Sequence, residues 1–82
     1  MEEGERRKIL YRCRRGTREL DEILLTFADH EYVELSPALK DAFKKLLDVE
    51  DPLLNEWLCL GIQPADQGMV EIVERILSTR TG

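Results

Sequence analysis

The chain is expected to fold as an all-α, compact bundle of about five short helices, and three observations predict it. Apolar residues recur at helical spacing in segment after segment, no stretch sustains the alternation of a half-buried strand, and Ser-Pro and Asp-Pro pairs stand where new helices would begin. The 82 residues form one domain, taken as 1–82, with a modest core and little room for an enclosed substrate cavity. That size argues against an enzyme. With 43% hydrophobic and 35% charged residues, the composition is that of a folded domain.

The first helix runs from about Glu3 to Cys13, with Ile9, Leu10 and Cys13 as its apolar side, and Arg14 to Thr17 make a turn. The second starts near Arg18 and has the clearest stripe: Leu20, Ile23, Leu24, Phe27 and Ala28 follow an i, i+3, i+4, i+7, i+8 pattern. Ser36-Pro37 signals the third, with Ser as cap and Pro where a missing amide costs nothing. Its stripe is Leu39, Ala42, Phe43, Leu46 and Leu47. Asp51-Pro52 repeats that logic with Asp51 as cap and opens a fourth helix carrying Leu53, Leu54, Trp57 and Leu58, which Gly61 would end. After the break at Pro64-Ala65-Asp66, a fifth helix runs from about Gln67 to Thr79 with Met69, Val70, Val73, Ile76 and Leu77 on one face. Packing five stripes consumes most of the aliphatic residues, so function should lie on the surface at the helix starts.

Charge is distributed unevenly. Residues 1 to 19 hold seven Lys/Arg against four Glu, a local +3 within a total of −5, which leaves −8 for the remainder. A globally acidic chain with one basic end suits an anionic ligand or an acidic protein surface better than a long duplex, and no nucleic-acid partner is expected. Cys13 and Cys59 are too few and too far apart for a zinc site or a CxxC motif, and read as reduced and structural. No apolar run approaches the ~20 residues that span a bilayer, nor does the start carry a signal-peptide pattern. No membrane insertion and a cytoplasmic location are therefore expected.

The basic cluster holds the most informative stretch, Arg14-Arg15-Gly16-Thr17-Arg18-Glu19-Leu20-Asp21, at the second helix start. Gly16 permits backbone angles that a side chain penalises and lets another molecule approach closely. Thr17 can cap, and Glu19 falls in the first turn, where the macrodipole favours negative charge. Arg15 can offer a planar fork to a carboxylate or phosphate. Composition alone favours the plainer reading of a turn plus a well-capped helix. His30 beside Glu31 invites a metal or acid–base reading, but there is no HExxH and no second His, so no metal site is assigned and His30 reads as a helix-end residue. Trp57 lies one turn after Leu53 and reads as core, although a Trp at the rim of an apolar patch can also anchor a partner.

The words RGxxE at Arg15 to Glu19, Asp29-His30-Glu31-Tyr32, the DPxxxxWL segment at Asp51 to Leu58, and Pro64-Ala65-Asp66 stand together in a chain of this length. In that order and spacing the chain resembles the SdhE-type FAD assembly factors, the flavinylation factors for succinate dehydrogenase. The resemblance implies a non-enzymatic helper that binds the flavoprotein subunit of succinate dehydrogenase, with fumarate reductase as a further client, and promotes covalent FAD attachment to it. It assigns no catalytic residues. Arg15, Gly16 and Glu19 become the partner-binding motif, with Arg14 as a supporting cation, and His30, Glu31 and Tyr32 a candidate extension of the partner face. FAD would be attached to the client, with no cofactor stably held by this chain; direct contact with FAD stays open, since the chain has neither a βαβ unit nor a dinucleotide glycine pattern. A monomer is the simplest state for a helper that exposes its docking face. From a different class, the alternative is a small nucleic-acid-binding or regulatory module built on the arginines of residues 6 to 18. A hydrolase on His30 and Glu31 ranks behind both, lacking a nucleophile or a metal constellation.

Overall fold

Five α-helices and one short 3₁₀ turn make up a computed structural model of the chain, which describes residues 3–81 and the side chains of 4–79. Glu2 and the side chain of Glu3, counted in the charge of the basic segment, lie outside the described residues. The helices are α1 (Glu3–Arg12), α2 (Arg18–His30), α3 (Pro37–Leu46), α4 (Asp51–Leu58) and α5 (Gln67–Thr81), with the 3₁₀ turn at Tyr32–Glu34. No strand occurs among the described residues, and none of their helices is long and apolar enough to cross a membrane.

Amphipathic stripes drive the packing, and α2 occupies the middle, touching α1, α4 and α5. Leu20, Ile23, Leu24, Phe27 and Ala28 are all buried. Phe43 of α3 is fully buried and meets Phe27 at 5.3 Å and Tyr32 at 5.8 Å between ring centroids, both tilted as aromatic quadrupoles prefer. Leu54, Trp57 and Leu58 supply the buried face of α4, and Met69, Ile72, Val73 and Ile76 that of α5. Trp57 is core, as its spacing predicts.

Several local expectations are corrected. Tyr32, expected on a partner face, is 1% exposed. The 3₁₀ turn following α2 swings its ring inward one helical step after Ala28, and its hydroxyl reaches the Glu5 carboxylate at 3.4 Å. On α5 the stripe is rotated: Ile72 is fully buried, while Val70 and Leu77 are only partly covered. Leu53 faces solvent.

Helix starts follow the sequence in one case and depart from it in two. Ser36 caps α3 by accepting the Leu39 N–H at 3.2 Å, with Pro37 at the first helical position. At α4 the N-cap position belongs to Glu50, and Asp51 stands inside the first turn with its carboxylate turned elsewhere. Thr17 takes the N-cap position of α2, yet its hydroxyl makes no cap bond. The helix α4 ends at Leu58, before Gly61; there the Leu60 N–H reaches the Asn55 carbonyl and the Ile62 N–H the Glu56 carbonyl, with Gly61 at φ +77 turning the chain.

Candidate functional site: the groove between two helix starts

The turn between α1 and α2 needs a left-handed residue, and Gly16 supplies it at φ +86. A Cβ built at Gly16 meets nothing within 4 Å, so the requirement for glycine inside this chain is one of backbone angle, not crowding. Carboxylates and carbonyls brace both sides of this turn. The Arg15 backbone N–H donates to the Asp21 carboxylate, tying the turn to the first turn of α2.

Arg15 has a role that the sequence does not show. Its side chain is 17% exposed and folds back across the molecule. Nε donates to Asp51 Oδ1 at 2.8 Å, Nη1 to the carbonyls of Leu47 at 2.7 Å and Arg12 at 3.2 Å, and Nη2 to the Val49 carbonyl at 2.7 Å. Four of its five N–H groups are thereby committed inside the chain. Leu47 and Val49 are at and just beyond the end of α3, where helix carbonyls lack intrahelical partners and cations are favoured. Arg12 adds to the same cap, donating to the Lys44 carbonyl at 3.2 Å and pairing with Asp48. The fork expected to meet a partner is thus spent on the α3–α4 turn.

With Arg15 turned inward, the exposed members of RGxxE are Gly16 and Glu19. Glu19 faces a groove of about 540 Å³ lined by Thr17, Arg18, Glu19 and Leu20 on one side and by Asp51, Pro52 and Asn55 on the other. The two walls are the starts of α2 and α4, so the fold brings the RGxxE and DPxxxxWL segments onto one site. Arg18 is exposed on its wall and Arg14 is exposed in the turn before Gly16, and neither side chain has an ion pair among the described residues.

The surface continues along α2. A second depression of about 300 Å³ is lined by Glu19, Glu22, Ile23 and Cys59, and a third of about 400 Å³ runs over Glu22, Ile23 and Thr26 to His30, Glu31 and Thr79. Shared residues join the three into one face. Glu19 and His30 are eleven residues apart, ~16 Å along the axis and close to the same side of the helix. His30 is the last residue of α2, exposed, with Asp29 Oδ2 at 3.8 Å, and Glu31 pairs with Arg75 at 3.6 Å. No cluster of metal-ligating side chains exists among the described residues. Asp66 of the Pro64-Ala65-Asp66 segment accepts the Gly68 N–H at 2.7 Å at the start of α5.

The basic N-terminal segment is less available than its sequence implies. Arg6 pairs with Asp29, Arg12 with Asp48 and Arg15 with Asp51. Sequence reasoning missed Asp21 and Asp51 as supports of the motif and Asn55 as part of the opposite wall; the DPxxxxWL segment was the signal that pointed at the last two.

Comparison with known proteins decides the family. The chain matches the family described as flavinator of succinate dehydrogenase over residues 7–80. It belongs to that family. It is 40% identical over 78 residues to the FAD assembly factor SdhE of Yersinia pseudotuberculosis, covering 95% of this chain and 89% of the relative. The corresponding factor of Serratia sp. is 42% identical over 69 residues, covering 84% and 78%, and that of Coxiella burnetii 37% over 70 residues, covering 85% of each.

Proposed function

We propose that this protein is an FAD assembly factor that binds the flavoprotein subunit of succinate dehydrogenase, and that of fumarate reductase as a second client, and promotes covalent attachment of FAD. The observation that carries the reading is the convergence of the two motif segments on one groove, with Gly16 and Glu19 exposed at its rim. Family membership supplies the client class.

The protein acts as a non-enzymatic helper. The flavin pocket and the nucleophilic histidine belong to the client, FAD is the client's substrate, and no cofactor is held stably here. The factor contributes position. Docked at the groove, it holds the client's domains so that histidine meets the isoalloxazine methyl group, an orientation effect of the kind that lowers barriers. Gly16 lets the client surface approach the turn, Glu19 accepts a donor from it, Arg14 adds a cation at the edge, and Arg15 supports the site from behind. His30 and Glu31 extend the contact along α2. A monomer acting in the cytoplasm fits a face that must stay open. The nucleic-acid reading loses ground because three of the N-terminal arginines are already paired with this chain's own carboxylates.

In-gel flavin fluorescence of the denatured flavoprotein subunit tests the reading, after incubation with FAD and either the wild-type chain, Gly16→Leu, Glu19→Ala or no factor. The wild-type chain is expected to raise the initial rate of covalent labelling, and both variants to lose about tenfold or more of that gain. Equal labelling in all four samples, with a competent client, overturns it.

A further inference from the structure

We infer that Arg15 never touches the client: it is a positioning residue that, through Asp51, locks the two walls of the docking groove at a fixed separation. This deepens the reading above and rests on it. The geometry is that of an internal clamp. One guanidinium joins the α1–α2 turn to the end of α3 and to the first turn of α4, through Leu47 and Val49 carbonyls at 2.7 Å and the Asp51 carboxylate at 2.8 Å.

Asp51 lines the groove wall opposite Glu19, and Arg15 immediately precedes the glycine that turns the chain into the other wall. A change in the Arg15–Asp51 pair therefore moves Pro52 and Asn55 relative to Thr17 and Glu19. Asp21 completes the device from the other side, holding the Arg15 amide. The two carboxylates fix both the main chain and the side chain of one residue, leaving Gly16 between them and the exposed helix start. Lysine is no substitute: its single ammonium head cannot span two carbonyls and a carboxylate in the plane of a guanidinium.

The test uses the full chain with ¹⁵N-labelled arginine and follows the Nε–H signals, Arg15 being assigned by its loss in Arg15→Lys. In the free protein the Arg15 Nε–H is expected to exchange slowly with water. Addition of the flavoprotein subunit should leave its chemical shift in place while signals of Arg14 and Arg18 move or broaden. A shifted or newly exchanging Arg15 signal in the complex, meaning that the client has taken over its bonds, overturns the inference.

A double-mutant cycle on labelling gives a second readout. Arg15→Lys and Asp51→Asn should each raise the factor concentration needed for half-maximal labelling about tenfold, and the double variant no further, whereas Arg15→Lys with Glu19→Ala should multiply. Multiplication within the Arg15–Asp51 pair overturns the inference. Failure of the wild-type chain to promote labelling removes the assembly reading instead. The free chain still tests the clamp then: Asp51→Asn should shift the Gly16 amide resonance, 35 residues away in sequence, and an unmoved Gly16 in a folded variant refutes the coupling.

Discussion

Two turns of this molecule use the same backbone device and differ in everything around it. At Gly16 and at Gly61 the chain reverses through a positive φ, +86 and +77, and an added Cβ at either would meet open space. The Gly16 turn is braced by Asp21 on its amide side and by the Arg15 clamp beneath it. The Gly61 turn is held by backbone bonds to Asn55 and Glu56 and flanked by Leu60 and Ile62, 65% and 48% exposed. A glycine requirement therefore says only that the chain must turn; neighbouring side chains decide whether the turn is a rigid platform.

The largest expected difference lies in the cysteines that precede the two turns. Cys13 is fully buried, and burial pushes its thiol up from 9.0 to about 12 against the opposing pull of Arg15 and Arg12. The thiolate is the reactive form, so near pH 8 Cys13 should label ~10³-fold more slowly than an ordinary thiol. Cys59 is partly buried beside the Gly61 turn, more open than Cys13, and should label first. Ellman's reagent on the native protein should reach Cys59 before Cys13, with Cys13 reacting only on unfolding; fast reaction at Cys13 would mean that the braced turn opens readily.

Next come the glycines themselves. Gly16→Ala and Gly61→Ala should each cost about 1–2 kcal/mol, since both place a side chain at positive φ without a clash. In a domain of this size that lowers Tm by roughly 5–15 °C. Matched losses of stability with loss of client labelling only for the Gly16 variant would separate folding from docking. Labelling lost equally in both would assign the effect of Gly16 to stability alone.

The smallest effect bounds the pH response away from both turns. Lys44 holds the Glu5 carboxyl below its ordinary 4.5, chiefly through their hydrogen bond, and Glu5 raises Lys44 in return. A depressed carboxyl contributes stability that is present above pH 4.5 and lost as pH falls through the lowered value. A raised lysine contributes stability present below pH 10.5 and lost as pH rises through its higher value. Glu5→Gln should therefore flatten the acid limb of a urea-midpoint profile slightly and leave the neutral range almost unchanged.

How much of this was legible depended on whether the responsible contact was local. The stripe of α2, the Ser36-Pro37 start and the core position of Trp57 follow from spacings of one to eight residues, and the structure reproduces them. Tyr32 was misread as part of the partner face despite a local signal: it falls four residues after Ala28, continuing the α2 stripe through the 3₁₀ turn. Asp51 and Arg15 were not legible. An Asp before Pro reads as a cap and an Arg before Gly as a free cation, because nothing local says that residues 36 apart in sequence will pair and leave Glu50 the cap position. The groove had the same limit, since its walls come from separate motifs whose convergence is a property of the fold.

The long span of the Arg15–Asp51 bond also has a consequence in time. Helices separated by short turns form and pair early, because their partners are close along the chain. A bond across 36 residues carries a loop-closure cost that local contacts do not, so it is made only when α1 and the α3–α4 turn have already been brought together. The groove between α2 and α4 is thus expected to be fixed late in folding, and a chain with its helices in place but this bond unmade would lack it.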